Sequence, residues 1–144
     1  MTFTLHDLTP SLQVAIGPVI LVSGVGLLLL SMTTRFGRVI DRSRMLGMEL
    51  RAGTGDRNRA LQQIEILMRR ARVIRHAITL AIGSALLAAV LIITLFVAAV
   101  FALEVGPLVA ALFIGCIAAL IGALIAFLRD INLSLAALTL ELEP

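Results

Sequence analysis

The chain has 144 residues, of which 60% are hydrophobic, against roughly 45–50% in a soluble globular domain. Its formal net charge is only +3, but eleven of its twelve arginines lie between Arg35 and Arg75. This composition excludes an ordinary soluble domain. The charge distribution indicates an integral membrane protein with one strongly basic segment between two apolar ones.

Three uncharged apolar runs predict three membrane-spanning helices. They cover residues 12–34, 77–103 and 107–128. Each run is long enough to span, because about 20 residues at a rise of ~1.5 Å cross the ~30 Å hydrocarbon layer. We interpret the first run as a retained helix and not as a secretory signal. No Lys or Arg precedes it, and it is longer than the roughly 7–15 apolar residues of a signal peptide.

The basic segment between the first two runs, residues 35–76, carries two apolar seams with heptad spacing. Both seams continue into the adjacent apolar runs, which predicts a cytoplasmic antiparallel helical hairpin of coiled-coil type. The glycines within residues 52–56 suit a helix stop, and Thr54 or Asp56 suits the N-cap of the second arm. The seam positions are Leu29, Met32, Phe36, Val39, Ser43, Leu46 and Leu50 on the first arm, and Ala60, Ile64, Leu67, Ala71, Ile74 and Ile78 on the second.

The third apolar run also continues into a predicted cytoplasmic helix, residues 129–143. Its seam comprises Leu128, Ile131, Leu135, Leu138 and Leu142. Asp130 lies off this seam, and we expect it near the membrane-proximal arginines Arg35, Arg38, Arg72 and Arg75. The predicted fold is a single all-α membrane domain over residues 1–144. Its three transmembrane helices extend into a cytoplasmic helical stalk, made of the long antiparallel hairpin and the C-terminal helix.

The orientation of the chain follows from where its arginines lie. The segment between the first two runs holds eleven arginines and four acidic residues. The residues before the first run and the turn at residues 104–106 hold no Lys or Arg. Because cytoplasmic loops are enriched in Lys and Arg, we expect the N-terminus outside and the C-terminus in the cytoplasm.

The densest arginine motif follows the first apolar run directly. Arg35, Arg38 and Arg42 are spaced i, i+3 and i+7 and form one helical face, with Asp41 within reach of Arg38. A guanidinium group binds phosphate bidentately, so these arginines are candidates for binding anionic lipid or an acidic protein partner. Alternatively, they only anchor the helices by snorkelling to lipid phosphates. The complete candidate set is Arg35, Arg38, Arg42, Arg44, Arg69, Arg70, Arg72 and Arg75.

Residues 31–44 follow the pattern S-M-x-x-R-F-x-R-x-x-D-R-x-R. Together with the Arg-rich hairpin and two further spans, this pattern resembles a family of small bacterial membrane proteins of unknown function. The resemblance covers nearly the whole chain and implies a bacterial inner-membrane location, with no established activity. It is carried by Arg35, Phe36, Arg38, Asp41, Arg42 and Arg44, among which Phe36 and Asp41 are expected to be structural.

Small residues recur on two of the predicted spans. Gly17, Gly24 and Ser31 follow every seven residues on the first span, and a ladder on the third comprises Gly115, Ala119, Gly122 and Ala126. Small residues let helix backbones approach closely inside a membrane. We therefore expect one ladder to pack within the chain and the other against a second copy in a homo-oligomer. The alternative is that Gly and Ala are simply common in membrane helices.

The sequence predicts no enzyme, cofactor or metal site, since it shows no nucleophile–base pair and no metal-binding motif. Two functions from different classes remain. The first is a self-associating structural or scaffold bundle whose basic stalk binds anionic lipid or an acidic partner. The second is a small homo-oligomeric ion channel with Asp7 and Glu104 at its outer mouth. Nucleic acid is not an expected partner, because the hairpin has almost no aromatic residues for base stacking.

Overall fold

The computed structural model describes the backbone of residues 5–53 and 56–142, and the side chains of residues 13, 15–53 and 56–132. The described chain is all-helical, as predicted, and contains no strand. It forms three helices: α1 at Leu5–Ala52, α2 at Arg57–Phe101 and α3 at Gly106–Leu142. All three are long and apolar enough to cross a membrane, which makes the chain a multi-pass membrane protein.

The helix ends carry recognisable capping features. Helix α1 stops before Gly53, whose φ of 69° is readily adopted only by a residue without Cβ. Asp56 caps α2, because its Oδ1 accepts a hydrogen bond from the backbone N–H of Asn58 at 3.0 Å. At the far end of α2, Ala102 has a φ of 51°, and the N–H of Leu103 donates to the carbonyl of Ala98 at 3.0 Å. This is the hydrogen bond of a Schellman motif.

The chain divides into two compact units, and each helix contributes to both. The apolar unit comprises Met1–Leu29 and Leu80–Ile121. Several of its buried residues are small, among them Ala81, Ala88 and Cys116, which allows close helix approach. An added Cβ at Gly115 would lie 3.6 Å from Leu87 Cδ1. Ser84 and Cys116 join α2 to α3 here. The Ser84 hydroxyl donates to the Cys116 carbonyl at 2.9 Å, and the Cys116 thiol donates to the Ser84 carbonyl at 3.2 Å.

The basic unit comprises Leu30–Thr79 and Gly122–Pro144. Every predicted seam position that it contains on α1 and α2 is buried or half-buried, as the heptad spacing indicated. Val39 of α1 shares a buried cluster with Ala71 and Ile74 of α2, and this cluster is covered by Phe36, Ile40, Leu67 and Ile78. The two arms are therefore packed against each other through their seams in this part of the hairpin.

The seam predicted at the start of the C-terminal helix is wrong at Leu128, whereas its next position, Ile131, is half-buried. Leu128 is 58% exposed, whereas Asp130, which we expected off the seam, has no exposed surface. The buried face of α3 in the basic unit contains Ala123 and Asp130, seven residues apart and hence about two helical turns apart. Leu128 and Asp130 are two residues apart, or about 200° around the helix, so they lie on nearly opposite faces of α3. Leu135, Leu138 and Leu142 lie outside the residues whose side chains are described.

Candidate anion-binding grooves

Two arginine-lined grooves lie within the basic unit. The first arginine groove has a volume of about 390 Å³ and is formed by α1 and α2. Its cationic residues are Arg35, Arg38 and Arg42 of α1 and Arg70 of α2, and its apolar walls are Val39 and Leu67. The three α1 residues lie on one face because of their i, i+3, i+7 spacing. Packing of the two seams brings Arg70 to the same groove.

Arg70 also holds the third helix to this unit. Its Nε donates to Asp130 Oδ1 at 3.5 Å, across 60 positions of sequence. The Asp130 side chain is completely buried, and the Arg70 side chain is 23% exposed. A carboxylate removed from water requires a positive partner, and the arginine of α2 provides it. The sequence predicts Asp130 near the membrane-proximal arginines Arg35, Arg38, Arg72 and Arg75, and the structure shows its ion pair with Arg70.

A second contact ties α3 to the first groove. The guanidinium of Arg35 lies 5.3 Å from the centroid of the Phe127 ring. A guanidinium at this distance from an aromatic face is attracted by about 0.5–1 kcal/mol at an exposed site. The contact holds Arg35 in place with its charge intact. Among the described residues, no carboxylate pairs with Arg35, Arg38 or Arg42.

The second arginine groove lies between α2 and α3 and has a volume of about 500 Å³. It has a cationic part and an apolar part. Arg69 and Arg72 of α2 and Arg129 of α3 form the cationic part, with His76 of α2 beside them. Val73, Gly122, Ile125 and Ala126 form the apolar part. The His76 ring is oriented by its own helix, because its Nδ1 donates to the Arg72 carbonyl at 2.7 Å.

Neighbouring arginines on α2 serve different grooves. Successive residues of a helix differ by about 100° around its axis, so Arg69 and Arg70 point to different sides. Arg70 lines the first groove, whereas Arg69 lines the second. The same rotation separates Asp130, which is buried against Arg70, from Arg129, which lines the second groove. The helical twist of α2 and α3 thus creates two basic surfaces from one charged stretch.

Of the eight arginines proposed from the sequence, the structure brings four together in the first groove and Arg69 and Arg72 in the second. Arg44 and Arg75 are exposed and line neither groove. Phe36 packs on the buried cluster of the hairpin, and Asp41 is exposed. Sequence reasoning missed His76 and Arg129. Both border an apolar run, His76 just before the second and Arg129 just after the third, and that position could have indicated them.

The two small-residue ladders differ in exposure. Gly17 and Gly24 of α1 are exposed, and an added Cβ at either would meet no atom within 4 Å. On α3, Gly115, Ala119 and Gly122 are half-buried inside the chain. Glu104, a candidate for a pore mouth, is exposed in the turn between α2 and α3. Asp7, the other candidate, lies outside the residues whose side chains are described.

The long apolar helices and the two arginine-lined grooves define a helical membrane protein with basic surfaces. A family model described as "Protein of unknown function (DUF2721)" matches residues 15–140, which include both grooves. The chain therefore belongs to this family, in agreement with the resemblance seen in its sequence. No curated protein and no solved structure matches the chain.

The buried ion pair yields a prediction for stability. Asp130→Leu leaves Arg70 without its buried partner and should lower the free energy of unfolding by about 3 kcal/mol, the low end for a buried pair because Arg70 is partly exposed. Asp41→Leu, the same change at an exposed site, should alter it by less than about 0.5 kcal/mol. Adding Arg70→Met to Asp130→Leu should recover much of the loss. Thermal unfolding in detergent measures all three, and equal effects at both aspartates would contradict the assignment.

Proposed function

We propose that this protein is a non-catalytic, self-associating bundle of the bacterial inner membrane that binds anionic phospholipid through its arginine-rich cytoplasmic side. One observation carries the proposal: Arg35, Arg38, Arg42 and Arg70, from two helices, converge on one groove. Because the two helices are packed together, the positions of these arginines relative to one another are fixed. Several guanidinium groups can therefore contact one phosphate-bearing surface.

Lipid is favoured over an acidic protein partner by the position of the arginines. Arg35 follows the first apolar run directly, and Arg70 lies a few residues before the second. Both therefore lie where each helix changes from an uncharged to a charged sequence, which is the expected level of lipid headgroups. Arginines far from that boundary would bind an acidic protein equally well, so their position at the boundary favours lipid.

The proposed orientation places the N-terminus outside and the basic unit in the cytoplasm. It is supported by the excess of seven positive charges between the first two apolar runs. The inner leaflet carries anionic lipids in many membranes, and a basic residue near its surface gains about 1 kcal/mol. The proposed location in a bacterial inner membrane is supported by the sequence resemblance alone.

The non-catalytic role is supported by the chemistry of the described side chains. Both grooves are lined by guanidinium groups, which stay protonated and are poor proton acceptors. Among the described residues, no carboxylate or nucleophile lines either groove. Such a surface holds an anion in place more readily than it transforms one.

Lipid binding by the first groove can be tested with matched charge variants. The triple variant Arg35→Gln, Arg38→Gln, Arg42→Gln should lose a measurable part of the thermal stabilisation that phosphatidylglycerol gives the wild-type protein over phosphatidylcholine. That stabilisation should reach roughly 3 kcal/mol at a lipid concentration about 100 times Kd, which corresponds to several degrees in Tm. Thermal unfolding in detergent with each lipid provides the measurement.

The control for this experiment removes the same number of charges elsewhere. Arg51→Gln, Arg57→Gln, Arg59→Gln changes three exposed arginines at the turn between α1 and α2. One of the three, Arg59, forms an ion pair with Asp56 at 3.5 Å. This pair is exposed and contributes little to stability. The control should keep the preference for phosphatidylglycerol. Equal losses in both triple variants would show binding by net charge alone and would contradict a role for the groove.

Self-association is proposed to use the exposed glycine face of α1. Gly24 and Gly26 are both exposed with no atom within 4 Å of an added Cβ, but they lie on different faces because two residues turn a helix by about 200°. Only Gly24 belongs to the seven-residue series with Gly17 and Ser31. In a membrane, close contact between two copies requires such small residues.

The two glycines provide a matched pair of variants. Gly24→Leu should convert the oligomer to single chains, because the leucine separates the helix backbones, whereas Gly26→Leu should leave the oligomer intact. Both substitutions raise the helix propensity of α1 equally, so a difference between the two variants does not come from the stability of the helix. Light scattering after size-exclusion chromatography in detergent gives the mass. A monomeric wild-type protein, or dissociation by Gly26→Leu alone, would rule out this interface.

A further inference from the structure

We propose that the second arginine groove is a site for one individual anionic phospholipid. Its phosphate would contact Arg69, Arg72 and Arg129, and an acyl chain would lie along Gly122, Ile125 and Ala126. This inference rests on the proposed function and names a specific occupant for a different surface of the same unit. The first groove would meet headgroups of the surrounding bilayer, whereas the second would retain one molecule.

The cationic part of the groove is complementary to a phosphodiester. Arg69, Arg72 and Arg129 come from two different helices and face one space. Among the described residues, no carboxylate forms an ion pair with any of the three. Their charges are therefore available to a ligand. Guanidinium groups bind phosphate oxygens in pairs of parallel hydrogen bonds, and three of them provide more donors than one phosphodiester requires.

The apolar part distinguishes a lipid from a free anion. Gly122 and Ala126 lie one helical turn apart on α3, and their small side chains leave room beside the half-buried Val73 of α2. Inorganic phosphate gains nothing from such a wall, because it has no apolar surface to bury. A phospholipid has both a phosphate and an acyl chain, covalently joined, as the groove has both a cationic and an apolar part.

The order of these parts along the helices matches the order within a lipid. On α2 the arginines of the groove precede the apolar run that begins at residue 77, and on α3 Arg129 follows the apolar run that ends at residue 128. The apolar lining at Gly122, Ile125 and Ala126 belongs to that third run. Since α2 and α3 both change from apolar to charged at the groove, a phosphate at the arginines leaves the acyl chain beside membrane-spanning sequence.

The first groove lacks this combination. One of its four arginines, Arg70, is already paired with Asp130, and its two apolar walls are Val39 and Leu67. Val39 is a buried core residue, and Leu67 packs against the same cluster. Both side chains belong to this packed cluster and offer little surface to an acyl chain. The second groove is therefore the better candidate for a retained lipid.

Native mass spectrometry of the detergent-solubilised full chain tests the inference. The probes are dioleoylphosphatidylglycerol, dioleoylphosphatidylcholine and glycerol 3-phosphate, each at the same concentration. We expect one phosphatidylglycerol per chain, bound at least tenfold more tightly than phosphatidylcholine, and no retained glycerol 3-phosphate. Retention of glycerol 3-phosphate as strong as that of the lipid would show a free-anion site and overturn the inference.

Two kinds of variant separate the two parts of the groove. Ala126→Leu fills the apolar part and leaves every arginine, and it should weaken phosphatidylglycerol binding at least tenfold. Arg129→Gln changes an exposed residue and should reduce phosphatidylglycerol binding to the level of phosphatidylcholine. The control is Ala118→Leu, which makes the first substitution at an exposed α3 position outside the groove lining and should bind as the wild type does.

The outcomes distinguish this inference from the proposed function. If Ala126→Leu and Arg129→Gln both bind phosphatidylglycerol like the wild type, while the triple variant of the first groove loses it, the second groove is not the lipid site and the proposed function stands. If the wild-type protein shows no preference for phosphatidylglycerol over phosphatidylcholine, the proposed function itself fails. Selective loss in the two second-groove variants supports the inference.

Discussion

The ion pair between Arg70 and Asp130 organises the basic unit. Asp130 has no exposed surface, and the Arg70 guanidinium lies 3.5 Å from it. A buried carboxylate without a counter-charge costs several kcal/mol, so α3 is stable in this position only if it faces that arginine. Because the pair fixes the rotation of α3 against α2, it also determines where the neighbouring residues of both helices lie. Arg69 and Arg129 are turned away from the pair and toward the second groove.

The hairpin of the basic unit carries many more arginines than acidic residues. Along the hairpin there are eleven arginines and four acidic residues, and all four acidic residues are exposed. The buried ion pair supplies Asp130 with a counter-charge, and an aromatic contact with Phe127 positions Arg35 without neutralising it. The excess guanidinium groups repel one another, and an external anion relieves this repulsion. This excess of positive charge is the physical basis of the proposal that each groove binds a phosphate through several arginines.

The number of helices and the packing of the hairpin could be predicted because they follow from local patterns. Uncharged runs of about 20 residues identify spans, and the heptad spacing of Met32, Val39 and Leu46 identifies the buried face of α1. The N-cap at Asp56 follows from its side chain and the glycines before it. Each of these features depends on residues close in sequence.

The partners of the third helix could not be predicted in this way. An aspartate beside an arginine at the end of an apolar run resembles a solvated helix face, and only the tertiary contact with Arg70 makes its burial favourable. The heptad pattern in this part of α3 can be read from more than one starting residue. The pattern alone therefore does not determine which face of α3 is buried. Arg129 and His76 were missed as groove residues for the same reason, because their neighbours across the groove come from another helix.

The orientation of the chain tests the central claim most directly, since both grooves must face the cytoplasmic leaflet to meet its anionic lipids. In a Cys116→Ala background, single cysteines at the exposed positions Asn58 and Glu104 report the two sides of the membrane. Intact bacterial cells expressing each variant are treated with a membrane-impermeant maleimide. We expect labelling of Glu104→Cys in intact cells and of Asn58→Cys only after the membrane is permeabilised. Labelling of Asn58→Cys in intact cells, with protection of Glu104→Cys, would contradict the orientation and the lipid-binding role that depends on it.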